Sequence, residues 1–207
     1  MYYLVKTPWL FRKLVYPAYR WKMPADEKKI YLSFDDGPHP TITSFVLDEL
    51  RKYNARATFF CIGKNVAEQT DMYKRILNEG HAVGNHTHNH LNGWKVGDAP
   101  YFENIALAAK YIDSRLFRPP YGRITAFQAK QLKEKWDMTT VMWSVLSGDF
   151  DQDLSPEKCW KNVRDSISAG SIVVFHDSEK AYERLGYALP RVLDHFSHKG
   201  FSFEKIS

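Results

Sequence analysis

The chain reads as an α/β protein built on a parallel sheet, open or closed into a barrel, and three observations carry that reading. Short apolar runs alternate with amphipathic segments along almost the whole length. Gly and Pro punctuate the joins. Polar motifs sit just after the C-terminal ends of the apolar runs, where the active sites of α/β barrels gather. With 207 residues, 44% of them hydrophobic and 15% aromatic, one main domain with a sizeable core is expected.

Taken in order, Ile30-Tyr31-Leu32-Ser33-Phe34 is a strand, and Gly37-Pro38 makes the turn beyond it. Thr43 to Tyr53 is a helix with Phe45, Val46, Leu50 and Tyr53 on one side. Ala57 to Ile62 is a buried strand ended by Gly63, and Val66 to Asn78 is a helix that stops at Gly80. His81-Ala82-Val83-Gly84 is a short strand that feeds a histidine cluster. Tyr101 to Ser114 reads as a helix, Leu116-Phe117-Arg118 as a strand, Thr125 to Trp136 as a helix and Thr139 to Val145 as a strand. Ser155 caps a helix that Pro156 begins and Gly170 stops. Ile172 to Phe175 is a buried strand, Leu185 to His198 a helix and Phe201 to Phe203 a last strand.

Composition narrows the function. A net charge of +5 and a pI near 9.0 suit an anionic polymer or a membrane surface, but no run of five like charges occurs. Dispersed charge argues against a nucleic-acid partner. Cys61 and Cys159 lie in apolar stretches without metal or redox spacing and read as buried thiols. The first residues, Met1 to Tyr19, are aromatic and apolar but interrupted by Lys6, Arg12 and Lys13, so neither a signal peptide nor a spanning helix is expected. The expected location is cytoplasmic or peripheral, and extracytoplasmic if a leader has been removed. Residues 1–27 form an arm rich in large apolar groups, among them Trp9, Leu10, Phe11, Leu14, Val15, Tyr16 and Tyr19. Pro8 and Pro17 bound a helix of barely two turns, short for an interfacial anchor, so the arm is expected to pack beneath a barrel formed by residues 28–207 rather than on a membrane.

The chemistry is concentrated in two segments, Phe34-Asp35-Asp36-Gly37-Pro38 and Gly84-Asn85-His86-Thr87-His88-Asn89-His90. Histidines 86 and 90 are four apart, so one helical turn aims both imidazoles the same way. Two neutral imidazoles and a carboxylate from Asp35-Asp36 make a metal site with open positions, able to bind water and polarise a carbonyl. Singly, Asp35-Asp36 is an ordinary strand-end turn and one loop histidine an ordinary surface residue; together they point to a metal hydrolase. His39, His81, His195 and His198 carry no such signal, and His88 points away from the proposed ligand face.

At this point the chain resembles the polysaccharide deacetylases with a NodB homology domain, carbohydrate esterase family 4. Ser33-Phe34-Asp35-Asp36-Gly37-Pro38 is similar to the first motif of that family, His86-Thr87-His88-Asn89-His90 to the second and Arg118-Pro119-Pro120-Tyr121-Gly122 to the third. Asp149-Phe150 stands where the fourth has Asp-Trp, and Val174-Phe175-His176 where the fifth has Leu-x-His. The resemblance implies a distorted (β/α) barrel of seven or eight strands and hydrolysis of an N-acetyl, or an O-acetyl, group on a carbohydrate. It implies one divalent ion, zinc before Co2+, Ni2+ or Fe2+, on Asp36, His86 and His90. It makes Asp35 the base, Arg118 its partner that keeps it ionised, and the Tyr121 backbone N–H the oxyanion donor. His176 becomes the acid oriented by Asp149, and Phe150 and Val174 line the acetyl pocket. Leu146 stands three before Asp149, where the family often has Asp, and with Phe150 and Val174 it bears on pocket shape and rate. Other readings are an amidohydrolase- or phosphoesterase-like hydrolase using His86-x-His88, and a catalytically impaired carbohydrate-binding relative. The sequence leaves the particular sugar and the oligomeric state open.

Overall fold

The sheet is organised around its first strand, β1 (Lys29–Asp35), whose neighbours are β2 (Thr58–Cys61) on one side and β7 (Ile172–His176) on the other. The computed structural model describes residues 3–10 and 18–207. Beyond β2 lie β3 (Ala82–Asn85), β4 (Leu116–Phe117) and β5 (Thr139–Thr140); beyond β7 lies β6 (Val145–Leu146). All of these pairings are parallel and the sheet curls into a half-barrel. The short β8 (Ser202–Phe203) is wedged between the starts of β1 and β2: Glu204 N donates to Ile30 O, and Arg56 N to Phe203 O.

Alternation along β1 explains the division between core and site. Ile30, Leu32 and Phe34 face the helices, and Phe34 stacks on Phe59 at 5.1 Å and Phe175 at 6.1 Å. Ser33 and Asp35 fall on the opposite, inward face. The helices α1 (Ile42–Lys52), α2 (Gly63–Glu68), α3 (Thr70–Asn78), α4 (Asp98–Ala109), α5 (Ala126–Trp136), α6 (Pro156–Ser166) and α7 (Tyr182–His198) connect the strands. No helix among the described residues is long and apolar enough to cross a membrane.

Four local expectations are corrected. The segment 66–78 is two helices, because Gln69 leaves helical geometry (φ −122°, ψ 48°) and the Thr70 hydroxyl takes the Val66 carbonyl. The helix expected at 101–114 runs from Asp98 to Ala109, with Asp98 favouring its positive N-terminal end. The segment 139–145 is two strands on opposite edges, since the carbonyls of Val141 and Met142 turn to the buried Arg118 guanidinium instead of a neighbouring strand. Residues 86–90 form no helix.

The described part of the arm follows the seam between those edges. Arg20 N donates to Thr140 O and Arg20 O accepts from Met142 N; Thr7 N donates to Ser144 O and Val5 O accepts from Leu146 N. Lys22 bridges to Ser171 at the start of β7, and Tyr3 reaches Phe150 beyond the end of β6. Of the expected helix between Pro8 and Pro17, Trp9 and Leu10 are helical, and residues 11–17, with Phe11, Leu14, Val15 and Tyr16, lie outside the described residues. Deleting residues 1–22 removes those four backbone bonds, each contributing about 1 kcal/mol. It is therefore expected to lower Tm by roughly 10 °C, as read by calorimetry. An unchanged Tm would show that the seam does not need the arm.

Candidate active site

Asp36 is placed by its own backbone. In a continuing strand it would point away from Asp35, but φ of 84° ends the strand and swings its carboxylate to the inward side. This local twist, rather than the Gly37-Pro38 turn alone, brings both aspartates to one site. The segment is pinned by Asn65 Nδ2 donating to Asp36 O at 2.7 Å and by Gly37 N donating to Asp177 Oδ1 at 3.0 Å. The Thr43 hydroxyl donates to the other Asp177 oxygen. The packing leaves no room for a side chain at position 37, where a Cβ would sit 2.0 Å from Asp177 Oδ2.

His86 and His90 converge from an irregular loop. Thr87 and His90 have φ of 63° and 56°, and side chains hold the loop in that shape. Asn85 Oδ1 accepts from Thr87 N, Asn104 Oδ1 accepts from His88 N and Asn89 N, and Thr87 Oγ1 accepts from Leu91 N. Asp36, Thr87, His90 and Tyr121 are four of the six non-glycine residues with positive φ among the described residues, so backbone strain is concentrated here.

One ligand atom each from Asp36, His86 and His90 lies within 4.8 Å of the others. Asp36 Oδ1 is 3.2 Å from His90 Nε2 and 3.7 Å from His86 Nε2, yet this buried oxygen receives no aligned hydrogen bond. Burial alone pushes the Asp36 carboxyl up; the contact with His90 and the potential of His176 and His86 reverse that and hold it below the usual carboxylate range. Burial pushes His86 down to about 4 against the pull of Asp35 and Asp36, so it is neutral at pH 7. Its Nδ1 is 2.7 Å from the Arg118 carbonyl, which assigns the proton there and leaves the Nε2 lone pair facing Asp36. An ionised carboxylate with an orphaned oxygen and a neutral imidazole with an aimed lone pair fit a divalent cation.

The remaining predicted residues surround this cluster. Fully buried Arg118 donates through Nη1 to Asp35 Oδ1 at 2.7 Å and to Ser33 Oγ at 2.8 Å, and its plane lies 4.0 Å above the Phe60 ring. Asp149 receives His176 N at 2.7 Å on one oxygen and His176 Nδ1 at 2.8 Å on the other. Burial alone would lower His176, but Asp149, with Asp36 and Asp35, lifts it to about 10, so the ring is protonated at neutral pH. Arg184 Nε donates to the Asp149 carbonyl at 2.7 Å. Tyr121, at the apex of the single turn Pro120–Gly122, has φ of 59° and lays its ring 4.6 Å from His90. Phe150 meets His176 edge-on at 5.3 Å, and Val174, two residues before His176 on β7, is buried. His88 stays outside the cluster, stacked on Tyr111 at 5.8 Å.

The sequence assigned no role to Ser33, Asn65, Asn104, Asp177 and Arg184, which position the site residues. The one signal available was Asp177, next to His176 in a polar strand-end pair. Tyr3 was also missed: its ring lies 5.1 Å from Phe150, so the arm contacts the aromatic wall beside His176.

Fold and site together define a hydrolase-type centre, with an Asp/His/His cluster that fits a divalent ion, at the C-terminal ends of parallel strands. A polysaccharide deacetylase family model matches residues 22–141. A peptidoglycan-N-acetylglucosamine deacetylase of Bacillus cereus is 36% identical over 206 residues, with 96% of each chain covered. A chitooligosaccharide deacetylase of Azorhizobium caulinodans is 32% identical over 163 residues, covering 75% of this chain and 77% of that one. The crystal structure of the Bc1960 peptidoglycan N-acetylglucosamine deacetylase, in complex with an N-oxidanyl-benzamide, superposes with a TM-score of 0.86 at 31% identity, covering 97% of this chain and 95% of that one. The chain belongs to the polysaccharide deacetylase family, carbohydrate esterase family 4, and is a carbohydrate deacetylase.

Proposed function

We propose that this enzyme removes the acetyl group from N-acetylglucosamine units of a peptidoglycan- or chitooligosaccharide-type glycan, with zinc on Asp36, His86 and His90. The observation that carries the reading is the three-ligand cluster with an anchored base, Asp35, and an anchored acid, His176, beside it. Both relatives named above act on N-acetylated glucosamine glycans by name, and two imidazoles with one carboxylate form a donor set that suits zinc. An ion held there polarises the acetamide oxygen and makes water more acidic.

The protein's own residues handle the protons and the charge. Asp35 takes the proton of the attacking water, and Arg118, donating to its Oδ1, aims that carboxylate. The Tyr121 N–H donates to the oxygen that becomes negative, a role Pro119 and Pro120 cannot fill because they lack the group. His176 Nε2 gives its proton to the departing amine, which leaves poorly as an anion. Asp149 holds the imidazole by Nδ1 so that Nε2 faces the reaction. Phe150 and Val174 border the space for the acetyl methyl.

The test is acetate release by zinc-loaded protein from chitotetraose, from peptidoglycan and from O-acetylated xylan. Acetate from the first two, abolished by chelation and restored by zinc, is expected. Release from the xylan ester alone would overturn the N-acetyl assignment.

A further inference from the structure

We infer that Trp94 and Arg123 form a subsite, beside the reaction centre, for a carboxylate-bearing unit flanking the sugar that loses its acetyl group. This rests on the deacetylase reading above and adds a preference for anionic glycans.

Both residues come from the loops that build the site. Trp94 lies four residues beyond the ligand His90, and Arg123 two beyond Tyr121, so both stand on the rim at the ends of β3 and β4. The two loops are joined rigidly. Trp94 Nε1 donates to Ile124 O at 2.9 Å, Gly93 N to Arg123 O at 3.2 Å, and buried Gln128 donates to Gly93 O at 3.0 Å. They approach so closely that a Cβ at position 93 would meet Arg123 O at 2.8 Å and Gln128 Oε1 at 2.7 Å.

The groups presented on this frame match a charged sugar. The Trp94 ring is 54% exposed although its N–H is already engaged, which leaves an apolar face held out to solvent. The Arg123 guanidinium lies 4.2 Å from the ring centre and pairs with no carboxylate among the described residues. Tyr121, 62% exposed and two residues before Arg123, lays its ring over His90, so the segment that carries Arg123 also reaches the ligand cluster. A pyranose presents a C–H face that packs on an exposed indole, and a planar guanidinium forks a carboxylate. Because stacking already fixes Arg123, little side-chain freedom is lost on binding. Arg191 stacks on Tyr187 in a similar way, but within α7 and away from the site, which makes it a suitable control. The net charge of +5 favours the approach of an anionic chain over a neutral one.

The experiment compares kcat/KM of zinc-loaded protein on two tetrasaccharides, neutral chitotetraose and a peptidoglycan tetrasaccharide whose lactyl carboxylates are free of peptide. The wild type is expected to prefer the anionic one. Arg123→Gln should lower the anionic-to-neutral ratio about tenfold, mainly through KM, while Arg123→Lys recovers part of it and Arg191→Gln leaves it unchanged. Raising the salt from 50 to 300 mM should shrink the wild-type preference. Trp94→Ala should lower the ratio as well, with metal content and Tm confirming an intact fold. An unchanged ratio in Arg123→Gln, or a wild type indifferent to the carboxylates, would overturn the subsite while leaving the deacetylase reading intact. No acetate from either tetrasaccharide would instead remove the reading on which the subsite rests.

Discussion

Asp35→Asn is expected to keep its metal and to lose at least ~10²-fold in kcat, the contribution typical of a positioned general base. Asn has nearly the same shape and can still accept from Arg118 through its carbonyl oxygen, so the geometry around β1 is preserved. It cannot take up a proton from water. The substitution also leaves the fully buried Arg118 without a counter-charge, which costs stability, so the comparison is made well below Tm. Elemental analysis and steady-state acetate release decide the outcome. A variant that loses its metal and regains proportional activity on reconstitution would exchange the roles of Asp35 and Asp36. His176→Ala, also metal-replete, should slow an amide far more than an activated phenyl ester, because a phenolate departs without a proton.

The second large effect is on the ion itself. Alanine at His86 or His90 removes one of the three protein donors of the proposed site and is expected to weaken metal binding by more than ~10²-fold, beyond the 10- to 100-fold typical of lost supporting contacts. Activity falls with it. His88→Ala should retain the ion, although His88 lies between the two in sequence, because its ring stacks on Tyr111 outside the cluster. Metal content after dialysis separates this arrangement from one built on His86-x-His88. Full occupancy in the His90→Ala protein would rule out the assigned triad.

Much of this was readable from local pattern. The apolar runs mark the central strands because strands buried on both faces have little choice of composition, and Ser155 and Thr125 cap helices as their side chains allow. What escaped reading depends on distant partners. The four-residue spacing of His86 and His90 suggested a helical turn, whereas Asn104, on a helix reached only later in the chain, holds those residues in a strained loop. Strict alternation would have sent Asp36 outward, and only its positive φ brings it in. The segment 139–145 has the composition of one strand, yet Arg118 claims two of its carbonyls and the chain crosses from edge to edge. Likewise Asp177, 134 residues from Thr43, acquires its role only through the closed fold.

The seam filled by the arm also dictates a timetable for biosynthesis. Thr7 bonds to Trp143, 136 positions downstream, so the arm leaves the ribosome long before its partners exist. At 5–20 residues per second the interval is roughly 7–27 s. Over that time Val5 and the buried Thr7 have no seam beside them, while the central strands already depend on a late arrival, β7, to complete β1. Contacts this remote in sequence slow the final closure. The arm is thus made well before its partners and docks among the last.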